Sequence, residues 1–201
     1  MKLKLQFQLT GERQVLPLNY QYPLSSWIYK VMSAADQTFT DLLHNEGYRL
    51  ENGKNFKLFC FSKLHFPPKT WRIIPGSDRM EVWARNGWLE ISFQLPEQTE
   101  KFVIGLFKNQ ELTLGDKISK IKMQVGQIES LRQPALISGA VRLSTKTPMV
   151  LGLNMDEEQH EQYVSPLNDD YAAVFVKNLI EKHQASGKGL VDAGQVIFKV
   201  L

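Results

Sequence analysis

Polar and apolar side chains alternate strictly at the start of the chain. The apolar positions are Leu3, Leu5, Phe7 and Leu9, and lysines and glutamines lie between them. A period of two residues is typical of a β-strand with one buried face and one solvent-facing face. The pattern therefore predicts a first strand at the N-terminus.

An amphipathic helix is predicted to follow a proline-containing connection. Its apolar residues recur at intervals of three and four positions, which places them on one helical face. They are Leu24, Trp27, Ile28, Val31 and Met32. The five residues together predict a first helix through this segment.

A shorter helix is predicted immediately after the first. Thr38 and Asp41 have the spacing of a capping box, and Gly47 is placed to end the helix. Its apolar stripe would consist of Phe39, Leu42 and Leu43.

Further strands and one more helix are predicted between residues 57 and 125. Strands are expected at 57–63, 80–84, 88–95 and 117–125, with an Asn86-Gly87 hairpin turn and a helix that begins at Pro96. The resulting order of strand, helix, two strands, helix and strand is that of a ferredoxin-like unit.

A second unit is predicted to begin near Gln133-Pro134. Strand patterns occur at 135–143, 149–151, 160–164 and 195–201, and a helix is expected to start with Ser165 as N-cap and Pro166 as its first residue. A complete unit would need another strand, a helix and a closing strand. The sequence thus predicts an α+β chain of tandem ferredoxin-like (RRM-like) units: an N-terminal domain over 1–130 and a partial C-terminal domain over 131–201.

Composition excludes several classes of protein. The 201 residues are 43% hydrophobic and 22% charged, which excludes a disordered or low-complexity chain. Cys60 is the single cysteine, so no disulfide framework or cysteine-based zinc site is expected, and the four histidines show no metal-ligand spacing. No apolar run predicts a membrane span or a signal peptide, and the expected compartment is the cytoplasm.

Charge is distributed unevenly along the chain. The formal net charge of +3 is mild, but residues 1–155 carry 20 basic and 13 acidic side chains, whereas residues 156–201 carry 4 and 8. This asymmetry permits a polyanionic partner for the N-terminal body, although ordinary solvated surface can have the same balance.

Two polar-tipped rings point away from the apolar stripes of their helices. At 100° per residue, Tyr29 lies roughly 130° from the centre of the first stripe and His44 roughly 145° from the second. Neither ring therefore needs to be part of the core. Either residue alone is also compatible with having no functional role. A histidine at a helix C-terminus interacts favourably with the helix dipole, and a tyrosine can simply be exposed.

Four lysines are predicted to share one face of the sheet. Lys2 and Lys4 face away from the core on the first strand, and Lys120 and Lys122 do so on the last strand of the first unit. These strands are neighbours in a ferredoxin-like sheet, so the face suits phosphate contacts, or is merely soluble. The strand around Trp88 only faintly resembles the stacking motif of RNA recognition modules and does not by itself favour one.

Blocks of sequence carry a resemblance to a known family. They are Leu16–Tyr29 (LPLNYQYPLSSWIY), Leu43–Tyr48 (LHNEGY), Lys57–Ser62 (KLFCFS) and Tyr163–Leu167 (YVSPL). Over most of its length the chain resembles the CRISPR-associated endoribonuclease that processes precursor CRISPR RNA, a member of the repeat-associated mysterious protein superfamily.

The resemblance implies metal-independent cleavage of CRISPR repeat RNA, on the 5′ side of a retained repeat fragment, to generate mature guide RNA without a cofactor. His44 corresponds to the family's catalytic histidine, Tyr29 to its tyrosine and Lys57 to its lysine, while Lys54 or Arg49 would take the lysine's part if the register of the loop shifts. Lys54 and Arg49 are also expected RNA contacts. Which of His44 and Tyr29 acts as acid and which as base stays open.

The resemblance also implies partners. CRISPR repeat RNA is the expected ligand, with other CRISPR-associated subunits as further partners. The family has a glycine-rich, RNA-binding loop beyond the strand expected at 195–201, and nothing in this sequence matches it. The sequence is therefore expected to be a truncated copy, an engineered fragment or an incomplete record, with an edge strand that permits a homodimer.

Two alternatives from other classes stay open at this point. One is a non-catalytic RNA-binding subunit of a CRISPR ribonucleoprotein, which would use the same fold and basic face without the histidine. The other is an α+β domain with an unrelated small ligand.

Overall fold

A computed structural model describes residues 1–132, 144–145, 149–153, 162–189 and 191. The helices are α1 (Gln21–Ala35), α2 (Gln37–Asn45), α3 (Pro96–Lys108) and α4 (Tyr171–Ala185). The strands are β1 (Lys2–Leu9), β2 (Gln14–Pro17), β3 (Tyr48–Arg49), β4 (Asn55–Phe56), β5 (Phe59–Phe61), β6 (Trp71–Ile73), β7 (Arg79–Val82), β8 (Asn86–Phe93), β9 (Glu111–Gly115), β10 (Lys120–Leu131), β11 (Gly152–Leu153) and β12 (Gln162–Tyr163).

The chain divides into two compact units that are interleaved in sequence. The first consists of Met1–Glu46 and Phe59–Gly139, and the second of Gly47–Leu58 and Ala140–Leu201. The short segment 47–58 thus belongs with the C-terminal part of the chain. The domain boundary predicted at residue 130 does not assign residues 47–58 to the second unit, and it stays a proposal.

The first unit is built on a five-stranded antiparallel sheet in the order β5-β8-β1-β10-β9. The predicted first strand is confirmed, and it lies at the centre of the sheet between β8 and β10. Its neighbours are those of a ferredoxin-like sheet, with β9 added at one edge. The prediction that the first and last strands lie side by side is therefore confirmed.

Helices α1 and α3 cover one face of this sheet. All five residues of the predicted stripe on α1 are buried, which confirms that helix. Aromatic rings join the layers, because Trp27 of α1 lies edge-on to Phe7 of β1 and to Phe102 of α3, at centroid distances of 6.5 and 5.8 Å. The opposite face of the sheet carries no helix of the first unit within residues 1–132.

The hairpin predicted at Asn86-Gly87 is wrong. Both residues lie inside β8, where they pair with Gln8 and Phe7 of β1. Gly87 is needed instead for a close approach, since a Cβ atom there would meet the His65 carbonyl oxygen at 2.9 Å. The strand predicted at 80–84 is β7, which belongs to a separate sheet in the order β2-β7-β6.

The beginning of α2 also differs from the prediction. Asp36 is the N-cap, and its carboxylate accepts a hydrogen bond from the Phe39 backbone N–H at 2.9 Å. The capping box of Thr38 and Asp41 does not form, and Leu42 is 52% exposed rather than part of a buried stripe. Gly47 follows the C-cap with a φ of 65°, as predicted for a glycine that ends a helix.

Two strand boundaries of the first unit were predicted incorrectly. The strand expected at 57–63 is limited to Phe59–Phe61, because Leu58 has a φ of 56° and interrupts the extended chain. The strand expected at 117–125 is β10, which begins at Lys120 and extends to Leu131. The preceding β9 was missed, although Leu112 and Leu114 alternate and are buried.

In the second unit, the described residues form two short strand pairs and one helix. β3 pairs with β4, and β11 pairs with β12. Helix α4 begins at Tyr171 with Asp170 as N-cap, so the start predicted at Ser165-Pro166 is wrong; residues 165–170 form turns, in which the Ser165 hydroxyl accepts from the Leu167 N–H. The strands predicted at 135–143 and 195–201 lie outside the described residues.

Candidate functional site

The rings of Tyr29 and His44 meet at the surface of the first unit. Tyr29 lies on α1 and His44 on the last turn of α2, and their ring centroids are 5.1 Å apart at an interplanar angle of 78°. His44 is exposed, and its Nδ1 lies 3.3 Å from the Asn45 side-chain oxygen. The two residues that point away from their helical stripes therefore form one polar pair.

Aromatic packing holds the Tyr29 ring from the other side. The Phe59 ring of β5 lies 5.5 Å from that of Tyr29 at 78°, and Phe59 also contacts Phe93 of β8 at 5.9 Å. Edge-to-face contacts of this kind favour one ring orientation. The phenol is thus fixed against the five-stranded sheet while the imidazole stays accessible.

An ion pair fixes the start of the helix that carries His44. The Asp36 carboxylate caps α2 and also accepts a hydrogen bond from Lys101 Nζ of α3 at 2.9 Å. The bond from Lys101 is the largest cause that lowers the pKa of Asp36, and the same bond raises the pKa of Lys101. Helix α2 is thereby attached to α3 as well as to α1.

Burial makes the Tyr29 phenol a weaker acid than an exposed tyrosine. Desolvation raises the pKa of the Tyr29 phenol above its ordinary value. The hydroxyl therefore keeps its proton at neutral pH and can donate a hydrogen bond or a proton. The ring contact with His44 places this donor beside an imidazole, whose two ring nitrogens can donate or accept hydrogen bonds.

Lys57 belongs to the second compact unit and follows β4 rather than opening β5. Desolvation lowers the pKa of its ammonium. A partly desolvated cation attracts a phosphate more strongly than a fully hydrated one. Its place in a catalytic trio with Tyr29 and His44 stays a prediction.

Lys54 and Arg49 lie on the β3–β4 hairpin region of the second unit. The Lys54 ammonium contacts both carboxylate oxygens of Glu181 at 2.8 Å, and the Glu181 side chain is only 9% exposed. A phosphate would have to compete with this carboxylate for Lys54. Arg49 is exposed, and its role as an RNA contact or as a substitute for Lys57 stays a prediction.

The four lysines expected on one sheet face do lie on the same side but not in one cluster. Lys2 and Lys4 pair with the far end of β10, opposite Leu131 and Glu129. Lys122 lies at the other end, where its carbonyl accepts from the Thr10 N–H. Six residues of strand separate positions 4 and 10, or about 20 Å.

The two ends of that face differ in charge. Lys2 forms an ion pair with Glu90 of β8 at 2.6 Å, so its charge is compensated. Lys120 and Lys122 are exposed on β10. The more cationic end of the face is thus the end of Lys120 and Lys122.

No three histidine, cysteine, aspartate or glutamate side chains cluster as a metal site within the described ranges. Helices long and apolar enough to cross a membrane are likewise absent from the part of the chain that the structure describes.

Comparison with protein families identifies the chain. A family model described as "CRISPR-associated protein Cas6, N-terminal" matches residues 15–128, which is more than half of the sequence. The chain belongs to the Cas6 family. The family resemblance stated from the sequence blocks is therefore confirmed, and the matched range contains Tyr29, His44 and Lys57.

Curated Cas6 relatives are similar over part of their length. The chain is 31% identical over 116 residues to "CRISPR-associated endoribonuclease Cas6 1" of Methanocaldococcus jannaschii, a match that covers 58% of this chain and 41% of the relative. It is 24% identical over 168 residues to "CRISPR-associated endoribonuclease Cas6" of Pyrococcus furiosus, covering 84% and 57%. The chain thus spans about half the length of these Cas6 relatives.

Solved structures share the fold. A protein described as "An RAMP protein binding different RNA substrates" superposes with a TM-score of 0.72 at 17% identity, over 94% of this chain and 73% of the other. A structure titled "CRISPR associated protein Cas6" gives 0.68 at 25%, and one of a "Cas6-related gene from Pyrococcus furiosus" gives 0.75 at 19%, each over 96% and 73%. The predicted fold class of tandem ferredoxin-like units is confirmed.

The sequence did not reveal the residues that position Tyr29 and His44. Asp36 could have been found, because an aspartate three residues before Phe39 has the N-cap spacing. The contacts of Lys101 with Asp36 and of Phe59 with Tyr29 had no signal in the sequence, since each joins elements that are distant along the chain.

Proposed function

We propose that this chain carries the catalytic groups of a metal-independent endoribonuclease that cleaves CRISPR repeat RNA in precursor transcripts. The observation that carries the proposal is the contact between the Tyr29 and His44 rings, at 5.1 Å on an accessible surface. The Cas6 names of the relatives support the reaction class.

The proposed chemistry needs two proton transfers and one charge stabilisation. The 2′-hydroxyl of the nucleotide upstream of the cut loses its proton and attacks the adjacent phosphorus. The bond from phosphorus to the 5′-oxygen breaks, and that oxygen takes up a proton. The products are an upstream fragment with a 2′,3′-cyclic phosphate and a downstream fragment with a 5′-hydroxyl.

Each of the three proposed residues has a distinct role. His44 transfers a proton as general acid or base, a contribution of roughly 10²- to 10⁴-fold in rate. Tyr29 donates the second proton or orients the imidazole, since burial keeps its phenol protonated. Lys57 stabilises the negative charge on the phosphorane as a cation.

Cleavage of a modified substrate tests the nucleophile. A synthetic CRISPR repeat RNA with a single 2′-deoxy substitution at the cleavage position should bind like the unmodified RNA but remain uncut. Both RNAs are compared in excess EDTA, with the fragments separated by gel electrophoresis. Cleavage of the substituted RNA would contradict attack by the 2′-hydroxyl.

Substitution of the histidine tests its role. His44→Ala should lower the single-turnover rate by about 10²-fold or more while the affinity for RNA is retained. His183→Ala, on α4 of the second unit, is the matched control and should cleave at the wild-type rate. A fully active His44→Ala protein would remove His44 from the mechanism.

A non-catalytic RNA-binding subunit of a CRISPR ribonucleoprotein is the second candidate. It is favoured by Lys120 and Lys122, which are exposed on the open face of the sheet, that is, the face opposite α1 and α3. These lysines can bind phosphates without a histidine. The incubation in EDTA separates the two functions, because only an enzyme produces a fragment. Retention of bound, intact repeat RNA by the wild-type chain would support the second candidate.

A further inference from the structure

Trp88 and His65 form a stacked pair of rings on the open face of the five-stranded sheet. Their centroids are 3.6 Å apart and their planes differ by 5°. Trp88 alternates with the buried residues Gly87 and Leu89 along β8, so its side chain lies on the face opposite α1 and α3. Neither ring has a part in the proposed cleavage.

The backbone holds this stack in place. His65 and Trp88 exchange two hydrogen bonds, from each N–H to the other's carbonyl, both at 2.9 Å. Gly87 lets the segment of His65 and Phe66 approach, because a Cβ at position 87 would meet the Phe66 ring and the His65 oxygen at 2.9 Å. The two rings therefore form a rigid, preorganised surface.

A cation lies beside the same indole. The Lys4 ammonium is 5.0 Å from the centroid of the Trp88 ring. Lys4 comes from β1, which flanks β8 on the side opposite the segment of His65. The indole thus has an aromatic neighbour on the His65 side and an ammonium on the β1 side.

Amide side chains continue this surface along the two central strands. Gln6 pairs directly with Trp88 across β1 and β8, and Gln8 pairs with Asn86 two positions further. All three amides lie on the open face with Trp88, and each can both donate and accept hydrogen bonds. Base edges present the same mixture of donors and acceptors.

The row of amides ends at a cavity of about 710 Å³. Its lining residues include Gln8, Thr10, Trp83, Arg85 and Asn86. This volume is within the range of small-molecule sites, roughly 300–1,000 Å³, and so is sufficient for one nucleotide. Lys122, whose carbonyl accepts from the Thr10 N–H, adds a cation at this end of the sheet.

We propose that Trp88, backed by His65 and flanked by Lys4, is a base-stacking site for a single-stranded segment of RNA, which continues past Gln6 and Gln8 to the cavity at Arg85. The inference rests on the proposed function, since it assigns a second contact region to the same RNA. An aromatic face stacks on any base, and adjacent cations hold the backbone.

The carboxylate of Glu90 gives the path a direction. Glu90 pairs with Lys4 in the register of β1 and β8 and forms the ion pair with Lys2. Because Lys2 and Glu90 neutralise each other, the Lys2 end of the face offers phosphates less positive charge than the end of Lys120 and Lys122 does. The RNA therefore extends from Trp88 toward Asn86, Arg85 and Lys122, where these two cations outnumber the one acidic residue that lines the cavity, Glu12.

Binding of a homopolymeric RNA, which contains no repeat sequence, tests the stacking site. The probe is a fluorescently labelled decameric oligoadenylate, and the proteins are the full chain as wild type, Trp88→Ala and Trp88→Phe. Loss of one base stack should raise the Kd of Trp88→Ala by about 5- to 150-fold, and Trp88→Phe should recover most of the affinity. Trp71→Ala, which removes an exposed indole from β6, is the matched control and should bind like wild type.

Salt dependence separates stacking from charge. The slope of log Kd against log salt concentration should be unchanged in Trp88→Ala, whereas Lys4→Ala should reduce it by about 0.7 for one lost contact to single-stranded RNA. Circular dichroism and the melting midpoint verify that each variant is folded. A folded Trp88→Ala protein with wild-type affinity for the decamer would overturn the inference.

Failure of the inference and failure of the proposed function give different results. With protein in excess over repeat RNA, Trp88→Ala should need a higher protein concentration for half-maximal cleavage, whereas His44→Ala should lower the rate even at saturation. If the wild type binds oligoadenylate through Trp88 but cuts no repeat RNA, the nuclease proposal fails and the stacking site stands. If cleavage is normal and the affinity is indifferent to Trp88, only the stacking site fails.

Discussion

Gly105 of α3 lies directly against the backbone of Val31 in α1. A Cβ atom built at position 105 would be 1.8 Å from the Val31 carbonyl oxygen, well inside any permitted contact. The two helices can approach this closely only because position 105 has no side chain. Since α1 also carries Tyr29, this contact helps to fix the helix that presents the phenol.

Gly105→Ala should therefore destabilise the first unit. The added methyl group forces the helices apart, and overpacking of this kind costs about 1–3 kcal/mol. Urea unfolding monitored by circular dichroism measures the loss. Gly126→Ala is the control, because a Cβ on that strand residue would meet its nearest atom, in the Gln8 side chain, only at 3.9 Å. Equal midpoints for Gly105→Ala and wild type would contradict the close approach.

Tyr29→Phe isolates the phenol hydroxyl from the ring. The ring contacts with His44 and Phe59 persist in the variant, so the unfolding midpoint should stay near that of wild type. The single-turnover rate on repeat RNA should fall by about 10²-fold if the hydroxyl transfers a proton. Tyr22→Phe, at an 81% exposed position on the same helix, should have no effect. An undiminished rate would show that the hydroxyl takes no part in the reaction.

Asp36→Asn should lower the stability of the protein at neutral pH, and this effect should disappear in acid. The pKa of Asp36 is lowered in the fold, chiefly by the bond from Lys101, so its carboxylate stabilises the fold above the unfolded-state pKa of about 3.9. That contribution is lost as the pH falls through the lower, folded-state pKa. Asparagine keeps the helix cap but removes the charge.

The melting midpoints of wild type and Asp36→Asn, measured from about pH 7 to pH 2, test this assignment. Wild type should be the more stable at neutral pH, and the difference should shrink toward the acid end. Lys101→Met removes the other half of the ion pair and should reproduce most of the difference. A constant difference at every pH would mean that the cap, and not the charge, is responsible.

Lys57 and Tyr29 should respond differently to alkaline pH. Burial lowers the pKa of Lys57 and raises the pKa of Tyr29, so the ammonium loses its proton at a lower pH than the ordinary lysine side chain does. If Lys57 stabilises the phosphorane, the cleavage rate falls as the pH rises through this lowered pKa. Lys57→Arg keeps its charge and should shift the decline to higher pH.

Single-turnover rates between about pH 7 and pH 10, corrected for hydrolysis without enzyme, measure the alkaline decline. Lys57→Met is the complementary variant and should be slow across the whole range. A decline at the same pH in wild type and Lys57→Arg would exclude Lys57 as its cause.

Local sequence patterns were sufficient to predict the buried residues of an element wherever burial follows directly from the spacing of its apolar residues. The alternation along β1 and the stripe on α1 correctly predicted Leu3, Leu5 and Trp27 as core residues. The same reasoning failed at Asn86-Gly87, where a turn sequence lies inside a strand because β1 pairs with it over its full length. It failed at Ser165-Pro166 too, where residues 166–170 form turns and α4 begins only at Tyr171.

The candidate site divides in the same way between sequence and structure. Helical periodicity alone showed that Tyr29 and His44 point away from the stripes of their own helices, because the angle between side chains on one helix depends only on their spacing. That the two rings meet, and that Lys2 pairs with Glu90 and Trp88 with His65, was decided by the tertiary structure. Contacts between distant segments depend on strand register and helix packing, which no local pattern encodes.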